Sequence, residues 1–163
     1  MLNLGILTIS TKGSLGQRED KSGECIRDIM ARIDCRVIKY EIIPDDKDII
    51  AGKLVEWVDA SDINVILTTG GTGFSDSDIT PEATLSVVDK VAPGITEAMR
   101  AESLKKTPMA MLSRATAGIR KSCLIVNLPG SPKAVQECLE VILPAIPHAV
   151  EIITGEVTEH QIQ

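Results

Sequence analysis

Residues 68–84 read TTGGTGFSDSDITPEAT, a stretch that holds Gly70, Gly71, Gly73, Asp76, Asp78 and Glu82. Glycines without side chains let backbone N–H groups come close to an anion. Carboxylates next to a phosphate site make chemical sense when Mg²⁺ sits between them, because that ion is held by one or two carboxylates, substrate phosphates and water. A second acid pair, Asp45 and Asp46, follows Pro44 at the end of a β-branched run. A polar loop after the first apolar run carries Ser10, Asp20 and Ser22, and Pro129-Gly130-Ser131 leads into a helical pattern that begins with Pro132. The free N–H groups and partial positive charge of a helix N-terminus suit phosphate.

Familiar phosphate motifs are absent. A Walker loop needs Gly-Lys followed by Ser or Thr, and Phe74-Ser75-Asp76 follows Gly73. A dinucleotide fingerprint needs a third glycine where Asp76 stands. Two histidines and no G-x-S-x-G elbow argue against a Ser-His-Asp site. A bare Gly-Gly-Thr-Gly on its own marks a tight turn; the surrounding carboxylates raise it above that. Each acid and hydroxyl also has a plainer reading. Asp46 suits a helix cap, Glu82 a charge at its own helix N-terminus, and Ser22, Thr80 and Ser131 are cap residues before they are ligands. His148 reads as a partly buried helix residue, and His160 as part of a fraying tail.

These residues must be positioned by the elements between them. Leu2–Ile9 reads as a strand, residues 10–21 as a loop, and residues 23–33 as a helix capped by Ser22. Cys35–Ile43 is a second strand, stopped by Pro44. Ile50, Leu54, Trp57 and Val58 mark a helical apolar stripe, with Trp57 in the core or at a subunit contact. Val65–Thr69 is a short apolar run of the kind that is covered on both faces. Helices over about 81–90 and 94–104 follow, then a short edge strand over 113–119, the strand Cys123–Leu128 and a helix from Pro132. Pro144 and Pro147 break the last helical run. Alternating strands and helices give an α/β sandwich with a mainly parallel sheet and a short edge strand. In such sheets ligands bind beyond the carboxyl ends of the strands, where all four polar loops fall.

Composition narrows the function classes. The chain has 163 residues, which suits a single domain spanning 1–163. A net charge of −6 argues against nucleic acid, and aromatics at 2% leave the core to Ile, Leu, Val, Ala and Met. No apolar run reaches membrane-spanning length. The N-terminus lacks the basic segment of a signal peptide, and Cys25, Cys35, Cys123 and Cys138 show no C-x-x-C spacing. These features point to the cytoplasm, with the thiols as small buried hydrophobes.

GGTGFSDSDITPEAT, with IIPDD upstream and MLSRATAGIRKSCLIVNLPGSPKAVQECLEVILPAIPHAV downstream, resembles the MoaB/Mog family of molybdopterin-binding proteins, relatives of the gephyrin G domain. The loop ending in Asp20-Lys21-Ser22-Gly23 fits as well, so the resemblance covers nearly the whole chain. It implies a three-layer α/β/α sandwich with a mainly parallel sheet and a short antiparallel edge strand, and a homotrimer acting in molybdenum cofactor biosynthesis as a nucleotidyltransferase. MgATP adenylylates the molybdopterin phosphate, pyrophosphate leaves, and a partner protein then inserts molybdate. By this resemblance Asp45 and Asp78 are the essential, metal-positioning carboxylates. Gly70, Gly71, Thr72 and Gly73 form the phosphate- and nucleotide-contacting loop. Ser10, Asp20, Ser22, Ser113, Arg114, Pro129, Gly130 and Ser131 belong to the ligand-binding surface. Many relatives carry Arg immediately before the second acid, where this chain has Ser77. A non-catalytic pterin-binding or scaffold protein of the same fold is the alternative.

Overall fold

The computed structural model describes residues 1–157. Within these residues six strands form one sheet: β1 (Leu2–Ile9), β2 (Cys35–Ile43), β3 (Val65–Thr69), β4 (Lys90–Val91), β5 (Ala117–Arg120) and β6 (Cys123–Leu128), in spatial order β2-β1-β3-β6-β5-β4. The pairs β1–β2, β1–β3 and β3–β6 are parallel, whereas β5–β6 and β4–β5 are antiparallel. Seven helices among the described residues surround it: α1 (Thr11–Ser14), α2 (Lys21–Met30), α3 (Lys47–Ala60), α4 (Thr80–Leu85), α5 (Pro93–Leu104), α6 (Pro132–Ile142) and α7 (Ile146–Thr154).

Strand alternation explains why both faces are covered. Leu4 and Ile6, Val65 and Leu67, and Leu124 and Val126 point into one core, which contains Ile26 of α2, Met99 of α5, Val135 of α6 and Ile146 of α7. Their neighbours Leu7 and Ile9, Ile66, and Cys123 and Ile125 point into the other, built on Ile50, Leu54 and Trp57 of α3 and Ala83 of α4. Each such burial is worth roughly 1.5–3 kcal/mol relative to exposure. Gly5 leaves room for the Trp57 ring, since a Cβ there would lie 2.7 Å from Cε3.

Several elements differ from the sequence reading. The helix expected to run to Lys90 stops at Leu85, and Lys90–Val91 pairs instead with β5. Asp89 N and Ala92 N donate to Ile119 O and Ala117 O, both at 2.8 Å, so non-local pairing outweighs local helical preference. The strand expected over 113–119 shifts to Ala117–Arg120 and is not outermost; a 3-10 turn, Pro108–Leu112, precedes it. The expected loop 10–21 holds the helical turn α1. α2 is capped by Asp20, two residues before Ser22. The Pro144 and Pro147 break is present between α6 and α7. Trp57 is 1% exposed, as expected of core, while His148 is exposed on α7. His160 lies outside the described residues. Among the described residues no helix is long and apolar enough to cross a membrane.

Candidate active site

β1 is flanked by β2 on one side and β3 on the other, so the order reverses beside its carboxyl end. A cavity of about 770 Å³ opens at that crevice, reached by the ends of β1 and β3 and by the loop after β6. Ser10 at the end of β1 accepts from Gly13 N at 3.0 Å and starts α1. The next residue, Thr11, holds Asp45. Asp45 Oδ2 accepts from Thr11 N at 3.1 Å and from the Thr11 hydroxyl at 2.9 Å, while Thr11 Oγ1 accepts from Asp45 N at 3.1 Å. Its neighbour Asp46 caps α3 through Ile49 N at 3.0 Å. The two acids therefore have different tasks, and only Asp45 lines the cavity.

The glycine loop is shaped by β3 and α4. Gly70 and Gly71 have φ of 97° and 70°, the left-handed region that disfavours a side chain. A Cβ at Gly70 would collide with Ile9 O, and one at Gly71 with Thr80 Oγ1. Thr80 straps this turn down: its hydroxyl donates to Gly70 O at 2.9 Å, and its N–H to Gly71 O at 3.1 Å. Thr80 is thus no cap; Ile79 holds that position without a side-chain bond. Asp78 stands beyond the loop, where Oδ2 accepts from Ser75 N at 3.0 Å and Ser75 Oγ at 2.8 Å.

The opposite wall is built from two helix N-termini. Asp20 Oδ1 accepts from Gly23 N at 2.9 Å, and Oδ2 accepts from Thr8 Oγ1 at 2.7 Å and from the Tyr40 hydroxyl. Burial, then the bond to Asp20, pushes Tyr40 above its ordinary value, so it stays a donor through neutral pH. Ser22 Oγ donates to Gly130 O at 2.6 Å, and Ser131 Oγ caps α6 by accepting from Ala134 N at 3.2 Å. These contacts bring the positive ends of α2 and α6 to one cavity. Arg18 and Lys21 also line it, and neither makes an ion pair among the described residues.

Of the residues picked from sequence, Asp45, Asp78, Ser10, Asp20, Ser22, Gly70, Gly71, Gly130 and Ser131 share this cavity. Thr72, Gly73, Ser113 and Pro129 line a smaller groove of about 310 Å³ together with Met99 and Met109. Arg114 lines neither. The sequence reading missed Thr11, Tyr40 and Ser75. Thr11 and Ser75 had a readable signal, as hydroxyls in polar loops at strand ends; Tyr40 sits mid-strand and had none.

The donor set tests whether Mg²⁺ fits. Each carboxylate has one oxygen engaged, while Asp45 Oδ1 and Asp78 Oδ1 accept no hydrogen bond among the described residues. Asp45 Oδ1 lies 3.5 Å from where a Gly71 Cβ would sit, and Asp78 Oδ2 lies 2.8 Å from a Gly73 Cβ. The two acids thus approach the glycine loop at different points. No cluster of three His, Cys, Asp or Glu forms a closed metal site among the described residues. Two open carboxylates suit a hard ion that completes its shell with substrate phosphates and water.

The crevice of this doubly wound sheet thus brings together a glycine loop, two helix N-termini and two open acids. Residues 5–148 match the family described as "Probable molybdopterin binding domain", and the chain belongs to that family. It is 44% identical over 167 residues to the molybdopterin adenylyltransferase of Helicobacter pylori J99, covering 99% of this chain and 95% of that one. Over 172 residues it is 37% identical to the molybdopterin adenylyltransferase of Escherichia coli K12, covering 97% and 88%. The crystal structure of the molybdopterin biosynthesis enzyme MoaB from Thermus thermophilus superposes with a TM-score of 0.90 at 47% identity, covering 95% and 98%.

Proposed function

We propose that this chain is a molybdopterin adenylyltransferase of molybdenum cofactor biosynthesis. It transfers AMP from ATP to the terminal phosphate of molybdopterin. The observation that carries this reading is the pair of open carboxylate oxygens, on Asp45 and Asp78, beside a glycine loop that faces two helix N-termini. The relatives named for this activity, at 44% and 37% identity, support it.

The reaction needs no activated side chain, because the pterin phosphate is itself the nucleophile. One of its oxygens bonds to the α-phosphorus of ATP as the bond to the β-phosphate bridge breaks, and pyrophosphate leaves with that electron pair. Catalysis reduces to aligning two phosphates and neutralising charge. The loop at Gly70–Gly71 presents bare backbone, and the α2 and α6 N-termini supply partial positive charge. Arg18 and Lys21 add full charges. Asp45 and Asp78 would hold Mg²⁺, which when bound offsets the charge of the converging phosphates. Thr11 and Ser75 keep one oxygen of each acid fixed and leave the other open.

The chain acts as a single domain and a homotrimer in the cytoplasm, handing its product to a molybdate-insertion partner. Exposed Met109, Met111 and Leu112 on the 3-10 turn supply apolar surface for self-association. The test is incubation of the purified protein with molybdopterin, ATP and Mg²⁺. Adenylylated pterin and pyrophosphate in equal amounts are expected; pterin binding without either product would replace this reading with a non-catalytic one.

A further inference from the structure

Arg114 is the best-connected cation beside the site, yet it does not line the cavity. Its Nε donates to Gly73 O at 2.7 Å and its Nη2 to Asp78 O at 2.6 Å. Its Nη1 pairs with Glu82, and its own backbone N donates to Thr72 O at 2.9 Å. Three faces of one planar guanidinium are thus held by the two ends of the segment 73–78 and by α4. Three of its five N–H donors are committed to these contacts, and the side chain stands outside the cavity lining. The segment it spans is otherwise held mainly by itself, through Ser75–Asp78 contacts, and Phe74 is 68% exposed. Its tip therefore has little packing to fix it.

We propose that Arg114 is a positioning residue: it fixes the Gly73–Asp78 segment from behind so that the open oxygen of Asp78 faces the cavity, and it does not touch ligand. This rests on the assignment of the cavity as the adenylylation site. The planar fork is essential to the role, because two carbonyls on opposite ends of the segment and one carboxylate must be met at once. An ammonium keeps the charge but cannot bridge all three. Arg114→Lys therefore behaves like a loss, whereas a residue that merely supplied charge to a phosphate would tolerate lysine.

The test compares wild type, Arg114→Gln and Arg114→Lys in four measurements: turnover, dissociation constants for ATP, Mn²⁺ binding, and amide hydrogen exchange by peptide. Both variants are expected to lose turnover by about 10²-fold, the scale of a misplacement near 1 Å, with ATP dissociation constants changed by less than about threefold. Mn²⁺ binding weakens, and exchange speeds up in residues 73–80 but not in β1, β3 or β6. If Arg114→Gln weakens ATP binding tenfold or more while Arg114→Lys restores it, the residue contacts an anion and the proposal is overturned. Unchanged exchange in residues 73–80 overturns it too. Wild type without turnover refutes the adenylyltransferase reading alone, since exchange and Mn²⁺ binding still judge Arg114. A variant that fails to fold is replaced by Glu82→Gln, which leaves the two carbonyl contacts in place. Faster exchange confined to residues 73–82 supports the clamp, and no change counts against it.

Discussion

Thr11 and Asp45 hold each other by three hydrogen bonds across 34 positions of sequence: two into Asp45 Oδ2 and one from Asp45 N into the Thr11 hydroxyl. The pairing ties the turn after β1 to the end of β2 and leaves Asp45 Oδ1 open. Replacing Thr11 by Val removes two of the three bonds and frees the carboxylate to rotate. Turnover is expected to fall about tenfold, with stability lower by no more than about 1 kcal/mol because the contact is solvent-exposed. Steady-state kinetics alongside urea denaturation checks both halves.

Asp78→Asn keeps an acceptor for Ser75 but removes the charge. Folding should be retained and turnover reduced by on the order of 10²-fold or more. Turnover near wild type would remove Asp78 from the chemistry.

The glycines should separate by role. Gly70→Ala sets a side chain against the backbone carbonyl of Ile9 at φ 97°, where neither partner can yield, so destabilisation of about 1–3 kcal/mol is expected. At Gly73 the nearest atom is the movable Asp78 carboxylate at 2.8 Å. Gly73→Ala should therefore stay folded and lose turnover by displacing that acid. Thermal melts and kinetics on the two variants distinguish the cases.

Glu82 is held below the ordinary carboxylate range, first by its hydrogen bond to Arg114. A depressed folded value means that its stabilisation is fully present above the ordinary value of 4.5 and disappears as pH falls through the lower, folded value. The difference in melting temperature between wild type and Glu82→Gln should thus be constant near neutrality and close below pH 4.5. Salt should narrow it, because both side chains are partly exposed.

Burial pushes the Cys123 thiol up to about 12 and Cys35 up to about 11, and raises Cys25 and Cys138 as well. None of the four lines the cavity. Native protein should react slowly with thiol reagents at pH 7.5, and a variant with all four changed to Ala should retain turnover if it folds.

The strands β1, β3 and β6 are legible as apolar runs bounded by polar loops, β2 as a β-branched run stopped by Pro44, and Asp46 and Ser131 as caps. Asp20 and Ser22 are both good cap residues two apart, and only the contact to Gly130, 108 positions away, decides that Ser22 faces another loop. Lys90 reads as helix because its partner Ile119 is distant in sequence. Arg114 reads as part of the ligand-binding surface, while its bonds to Gly73 and Asp78, 41 and 36 positions away, carry no signal in the sequence. Much of what escaped the sequence was set by long-range contacts, whereas Ser75 and the short turn α1 rest on bonds only three residues apart.

The most direct measurement is the mass spectrum of the pterin after incubation with molybdopterin, ATP and Mg²⁺, in parallel with excess chelator. Adenylylated molybdopterin that forms with Mg²⁺, disappears with chelator and is absent for Asp45→Asn and Asp78→Asn is the predicted result. Unmodified molybdopterin with wild type, or equal product under chelation, would contradict it.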